Sequence, residues 1–268
     1  PREARRLFGF IGSGGILGGI VGSSLAAVGA QLVGTRHLLL LSAGLLMVCW
    51  WLVQQLWGFA PHRPVAQIVT PPLARRETAF TNLKGFANLL GRSRYLLLLV
   101  ALVGLNKLVS TLLSYQLNTF IEQGFPEANA RTTFTSVYFG AVNIAAFVIQ
   151  FCLTSWVLRR WGLRAALMAL PLGALMGSSA LLLFPLLWVA VGTELYDASM
   201  NYSLQQTTKE VLYLPIDRSI RYKVKPFIDM VVFRFGKGIA AVIGIVCLDW
   251  LGLESRVLSY VCIPLILG

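Results

Sequence analysis

The sequence is short of charge. Only 13% of its 268 residues are Asp, Glu, Lys or Arg, about half of the usual quarter. A water-soluble globule needs more polar surface than this, and a disordered chain needs far more. Histidine is scarcer still: His37 and His62 are the only two, far apart in the chain, so neither a metal centre nor a Ser/His/Asp set can be assembled. The four cysteines, Cys49, Cys152, Cys247 and Cys262, lie scattered without a Cys-x-x-Cys pair. They read as small buried hydrophobes, not as a disulfide framework. Soluble enzymes, fibres and disulfide scaffolds are excluded by these shortages. No catalytic residue, cofactor or metal is expected.

Apolar length is what the chain has instead. Hydrophobic residues make up 56% of it, and its mean hydropathy is +0.71. A helix needs about 20 mostly apolar residues to cross a bilayer core. Residues 7–33 and 38–58 carry no charge, 95–121 carry only Lys107, and 134–158 carry none. The run 165–208 contains only Glu194 and Asp197 but is too long for one span, so it must turn, most naturally at Phe184-Pro185. Residues 227–251 make a seventh span, and 257–268 begin an eighth that stops short. The expected fold class is all-α: a polytopic transmembrane helix bundle, a fragment with seven full spans and a truncated eighth.

Charge placement then gives an orientation. With Pro1 inside, the inner segments 1–7, 59–94, 159–164 and 209–225 hold seventeen of the 23 basic residues, and the outer loops hold only Arg36, Arg131 and Arg256. This positive-inside bias accounts for the net charge of +12 without a nucleic-acid partner. The connection 59–94 contains Pro61, Pro64, Pro71 and Pro72 and separates two spans from six. Twelve-helix transporters with two six-helix halves share that layout. The expected domains are 1–58, the last two helices of an N-terminal bundle; 59–94, a cytoplasmic basic linker; and 95–268, a truncated C-terminal bundle.

Glycines dominate the first span. Gly14, Gly18 and Gly22 share one helical face, with Gly15, Gly19 and Ser23 beside it, the small-residue spacing that lets helices approach closely in lipid. No strand precedes them to make a phosphate-cradling loop, and Gly236-Lys237-Gly238 lacks the rest of a Walker motif.

Polar stripes inside the spans carry the functional reading, because ionisable groups in a membrane are costly. Glu194, Asp197, Asn201, Gln205 and Thr208 recur at helical spacing, as do Lys107, Thr111, Ser114 and Asn118, with Asn106 adjacent. Asp229, Arg234 and Lys237 cluster in a third span, and Ser136, Asn143, Gln150 and Thr154 form a fainter fourth set. One explanation is interhelical glue, with Lys107 paired to Glu194 or Asp197. The other is a water-accessible cavity lined by four helices. There Lys107, Arg234, Lys237, Asn201 and Gln205 would bind an anionic solute, with Glu194, Asp197 and Asp229 as counter-ions or coupling groups.

The C-terminal region reads Lys209-Glu210, Tyr213-Leu214-Pro215-Ile216-Asp217, Lys223-Val224-Lys225-Pro226, Ile228-Asp229 and Arg234-Phe235-Gly236-Lys237. In this order the series resembles the ATP/ADP translocase (nucleotide transporter) family of intracellular bacteria and plastids, which is related to the major facilitator fold. Glu3-Ala4-Arg5-Arg6-Leu7-Phe8 before the Gly-rich span is similar too. The close match covers roughly 30 residues; Val224, Pro226 and Gly238-Ile239 depart from the family's usual residues. The resemblance implies nucleotide exchange, ATP for ADP, by alternating access, with Lys237 facing the phosphates. It also implies a major-facilitator-like bundle in the inner (cell) membrane of a bacterium; the charge bias sets this chain's N-terminus on the cytoplasmic side. The expected partners are the lipid bilayer and an anionic small-molecule solute such as ATP or ADP. Two alternatives stand beside it: a carrier of another anionic or proton-coupled solute, and a membrane-embedded sensor or anchor.

Overall fold

The computed structural model describes residues 2–59, 93–216, 218–250, 252 and 257–267, and no strand occurs among them. Most of the expected linker, 60–92, lies outside the described residues. Helix α1 is Arg2–Leu32 and α2 is Leu38–Phe59. After the linker come α3, Arg94–Gly124, and α4, Ala128–Arg160, the latter with a π-helical turn at Ile149–Leu153. Helix α5 is Gly162–Leu183. Helix α6 runs without a break through Leu187–Met200, the π-helical Asn201–Gln205 and Gln206–Leu212. Helix α7 runs through Arg218–Phe227, π-helical Ile228–Val232, Phe233–Ile245 and π-helical Val246–Trp250. Helix α8 is Val257–Leu267.

Six stretches among the described residues are long and apolar enough to cross a membrane, one fewer than the seven full spans expected. The difference is α6. It is continuous, but Glu194, Asp197, Lys209 and Glu210 lower its hydropathy. The breaks between helices have local causes. Gly34 and Gly162 turn the chain at φ 85° and 77°, where a Cβ would be strained. Pro185 lies in the interruption between α5 and α6, where it cannot donate to a continuing helix. Ser93 accepts the Leu96 amide at the start of α3, a conventional N-cap.

Helix α3 is the axis of the bundle. Its Leu108, Leu112 and Leu113 pack with Ala174 of α5, Ala240 of α7, and Leu258 and Cys262 of α8. Its Leu96, Leu99 and Val103 pack with Tyr213, Val224 and Ile228, and its Leu117 and Ile121 with Tyr138, Val142, Leu181 and Ala190. Burying a residue the size of Leu contributes about 1.5–3 kcal/mol in water; in lipid the same contacts act through close packing instead. Gln116 Nε2 also donates to Ser259 Oγ at 2.8 Å, tying α8 to the axis. In contrast, α2 exposes Leu39, Leu40, Leu46, Met47 and Trp50, an apolar surface suited to lipid.

The first span packs on α4, though not through the expected glycine face. A Cβ at Gly14, Gly18 or Gly22 would meet nothing within 4 Å, whereas one at Gly19 would strike Asn143 and one at Gly140 would press on Ser23. The neighbouring flank, Gly19 and Ser23, makes the crossing. Thr35, just after α1, adds hydrogen bonds from its amide and hydroxyl to Asn129 Oδ1, at 3.1 and 2.8 Å, and from its hydroxyl to Thr132 at 3.1 Å.

Candidate anion-binding cavity

A second close crossing builds the site. A Cβ on Gly236 of α7 would lie 3.3 Å from the Gly104 carbonyl of α3 and 3.6 Å from Lys107 Cβ, so only a hydrogen fits comfortably there. With α7 held this near, Phe233 and Lys237, one helical turn apart, stand beside Lys107. The three line a cavity of about 420 Å³ between α3, α4, α6 and α7.

Each wall has a distinct character. From α3 come Lys107, Ser110, Thr111, Ser114 and Asn118; from α4, Thr135, Tyr138 and Phe139. From α6 come Glu194, Asp197, Asn201, Tyr202, Gln206 and Lys209. The carboxylates are held mainly by α3: Ser114 Oγ donates to Glu194 Oε1 at 2.5 Å and Ser110 hydrogen-bonds Asp197, which Asn201 of α6 itself also hydrogen-bonds. Asn201 Nδ2 also donates to Ser110 Oγ at 3.1 Å. The other Glu194 oxygen, Oε2, is buried with no hydrogen-bond partner.

The lysines are not spent on those carboxylates. Among the described residues the ion pair formed is Lys225–Glu210, outside the cavity lining. Lys107 feels the charges of Glu194, Asp197 and Lys237 without forming a contact pair. Its ammonium stands 5.8 Å from the Phe233 ring centre, and that of Lys209 stands 4.7 Å from the same ring. One aromatic ring thus holds two like charges within about 6 Å of its centre, as cation–π attraction permits. Three ammonium groups against two carboxylates leave the lining cationic.

The expected stripe on α3 lies along this cavity in full. The stripe on α6 does not. Glu194, Asp197 and Asn201 line it, but Gln205 is buried away from it and its place is taken by Gln206; Thr208 is also turned away, its hydroxyl bonded to the Leu204 carbonyl. The cause is the π-helical turn at Asn201–Gln205, which inserts one residue and advances the register. Lys209 is carried inward by the same shift. The sequence places it at the start of an inner loop, but it is buried in α6 and lines the cavity.

Two further expected site residues lie outside the lining of this cavity. Arg234 is exposed on α7 and does not line the cavity, because Phe233 and Lys237 occupy the inward face. Asp229 is exposed as well, though its charge reaches Lys209 and Tyr213. Nor does the fainter set on α4 face inward: Asn143 packs on Gly19, and Gln150 donates to Thr207 at 3.4 Å. Asn106 lines a neighbouring, mostly apolar cavity with Leu102 and Leu105, which Asp197 also borders.

A helical bundle of membrane-spanning segments around a charged, partly buried cavity defines an integral membrane protein of transporter architecture. The chain belongs to the Major Facilitator Superfamily, whose family model matches residues 1–208. A second family model, TLC ATP/ADP transporter, matches residues 172–267, the part that carries the sequence resemblance. ADP,ATP carrier protein 1 of Chlamydia trachomatis serovar D is 25% identical over 242 residues, 81% of this chain and 44% of that protein. The protein of the same name from Chlamydia muridarum is 28% identical over 166 residues, covering 54% of this chain and 31% of its own. The plastidic ATP/ADP-transporter of Solanum tuberosum is 26% identical over 198 residues, 66% of this chain and 31% of its own. The chain therefore spans less than half the length of these relatives. No solved structure matches it.

Proposed function

We propose that the protein is a carrier, not an enzyme, and that it moves a nucleotide or similar phosphorylated anion across a membrane by alternating access. The observation that carries this reading is the convergence of Lys107, Lys209 and Lys237 on one cavity without contact ion pairs. A polyphosphate needs several cations at once, and ammonium groups left unneutralised in a membrane are retained at high cost. Asn201 and Gln206 supply neutral donors and acceptors beside them. Glu194 and Asp197 keep the empty cavity from carrying the full charge of the lysines, and so help a solute leave. The likeness to named ADP,ATP carriers supports a nucleotide as the solute. Arg234 and Gln205 are left out of the binding group, and Asp229 acts on it only through Lys209.

The cationic segments favour a cytoplasmic N-terminus for this chain, and the bacterial relatives favour a bacterial inner membrane. The division at 59–94 fits two helices of one half joined to the other half. Uptake of labelled ADP into liposomes preloaded with ATP tests the reading. Exchange is expected for the intact protein and at least tenfold slower exchange for Lys237→Ala, roughly the 1.4 kcal/mol of one lost charge contact. Unchanged uptake in that variant would remove the role assigned to Lys237. A second reading, a proton-coupled anion carrier, is favoured by the unpartnered Glu194 Oε2. Uptake driven by a pH gradient without counter-nucleotide would select it.

A further inference from the structure

The cavity continues beyond the lysines. A neighbouring cavity of about 370 Å³ shares Tyr115, Asn118, Ile121 and Thr135 with it and extends between α3, α4 and α7 to Glu122 and Arg131. Lys107 and Glu122 lie on the same uninterrupted α-helix, so the two ends stand roughly 22 Å apart at 1.5 Å per residue, most of a hydrocarbon core. The shared residues form a neck, where the Tyr115 ring lies 3.7 Å from the place a Cβ on Gly244 of α7 would occupy. Arg131 is half-buried in the wall past that neck. Among the described residues no carboxylate pairs with it, and Glu122 across the same cavity is not within ion-pairing distance.

We propose that Arg131 forms a second anion station on the solute pathway, which meets the phosphate end of the solute before the lysines do or after they release it. This rests on the carrier reading. A guanidinium in a cavity wall offers a planar fork of donors to phosphate oxygens, and here no carboxylate occupies that fork. A single cation in the same wall as Glu122 binds an anion more weakly than the three lysines that line the first cavity. A station has to be weak, since a site on a pathway must release what it binds. Asn118 and Thr135, shared by both cavities, supply polar groups for passage through the neck.

Two measurements on the intact protein test the station. In the first, Asn118→Cys, or Thr135→Cys as a second position, is labelled with anionic and with cationic methanethiosulfonate reagents. Adding Arg131→Gln is expected to lower the anionic-to-cationic rate ratio about fivefold, as the loss of one solvated charge contact would. An unchanged ratio at both positions overturns the proposal, whatever the solute is. In the second, Arg131→Gln is expected to raise the KM for ADP uptake about fivefold while the equilibrium Kd in detergent stays within twofold. A Kd raised as much as in Lys237→Gln would also overturn it, by placing Arg131 at the lysine site. If the parent protein carries no nucleotide, the nucleotide reading fails and the labelling ratio still decides the station.

Discussion

Phe233 shows how much one side chain can organise. Its ring lies under the Lys107 and Lys209 ammonium groups, and each such contact contributes about 0.5–2 kcal/mol. Replacing Phe233 by Leu should therefore free both lysines and weaken ADP binding at least two- to thirtyfold, the equivalent of about one such contact, while Phe233→Trp retains it. Equilibrium binding of labelled ADP reads the difference; equal affinities for the Leu variant and the parent would deny the ring this role. The two glutamines make a sharper pair. Gln206→Ala should weaken binding several-fold with little change in melting temperature. Gln205→Ala, at a buried side chain with both polar atoms unpartnered, should leave binding intact. The sequence alone picks Gln205, because helical spacing counts 3.6 residues per turn. Lys107, Thr111, Ser114 and Asn118 are legible for the same reason: α3 keeps regular α-helical geometry from Arg94 to Gly124. Nothing in the residue types of Asn201–Gln205 announces a π-turn, so Gln206 and Lys209 stay hidden until the backbone is seen.

At the scale of the helix, that π-turn is a register device. Four such turns occur among the described residues, at Ile149–Leu153, Asn201–Gln205, Ile228–Val232 and Val246–Trp250, and this geometry is common at functional sites. Deleting Ser203 should return α6 to a single α-register and rotate Gln206 and Lys209 about 100° off the cavity. Helical content by circular dichroism should persist while ADP binding is lost; retained binding would show that the turn does not set the site. Helix approach is the second device. Gly236→Val should push α7 from the Gly104 carbonyl, moving Phe233 and Lys237 away from Lys107. A cost of about 1–3 kcal/mol in stability is expected for overpacking a crossing this tight, together with weaker binding. A glycine between Phe235 and Lys237 is readable in the sequence, but its neighbour across the gap is not.

For the whole molecule, apolar run lengths and one proline were enough to place the break between α5 and α6: it falls at residues 184–186, where Phe184-Pro185 points. Which helices touch was not readable, because a membrane helix can be apolar all round and its contacts depend on partners remote in sequence. The α1–α4 crossing illustrates this. Gly14, Gly18 and Gly22 have the better motif, yet Gly19 meets Asn143. Gly19→Leu should accordingly lower the melting temperature in detergent and slow uptake, while Gly18→Leu is tolerated. The reverse order would contradict the crossing. The central claim is that three lysines from three helices bind one anion, and lysine protection tests it most directly. The intact protein is acylated briefly with and without saturating ATP, and the modified residues are quantified by mass spectrometry. Lys107, Lys209 and Lys237 should lose reactivity together when ATP is present, while Lys225, paired with Glu210 outside the cavity, should not change. Equal labelling of the three cavity lysines with and without ATP would contradict the account.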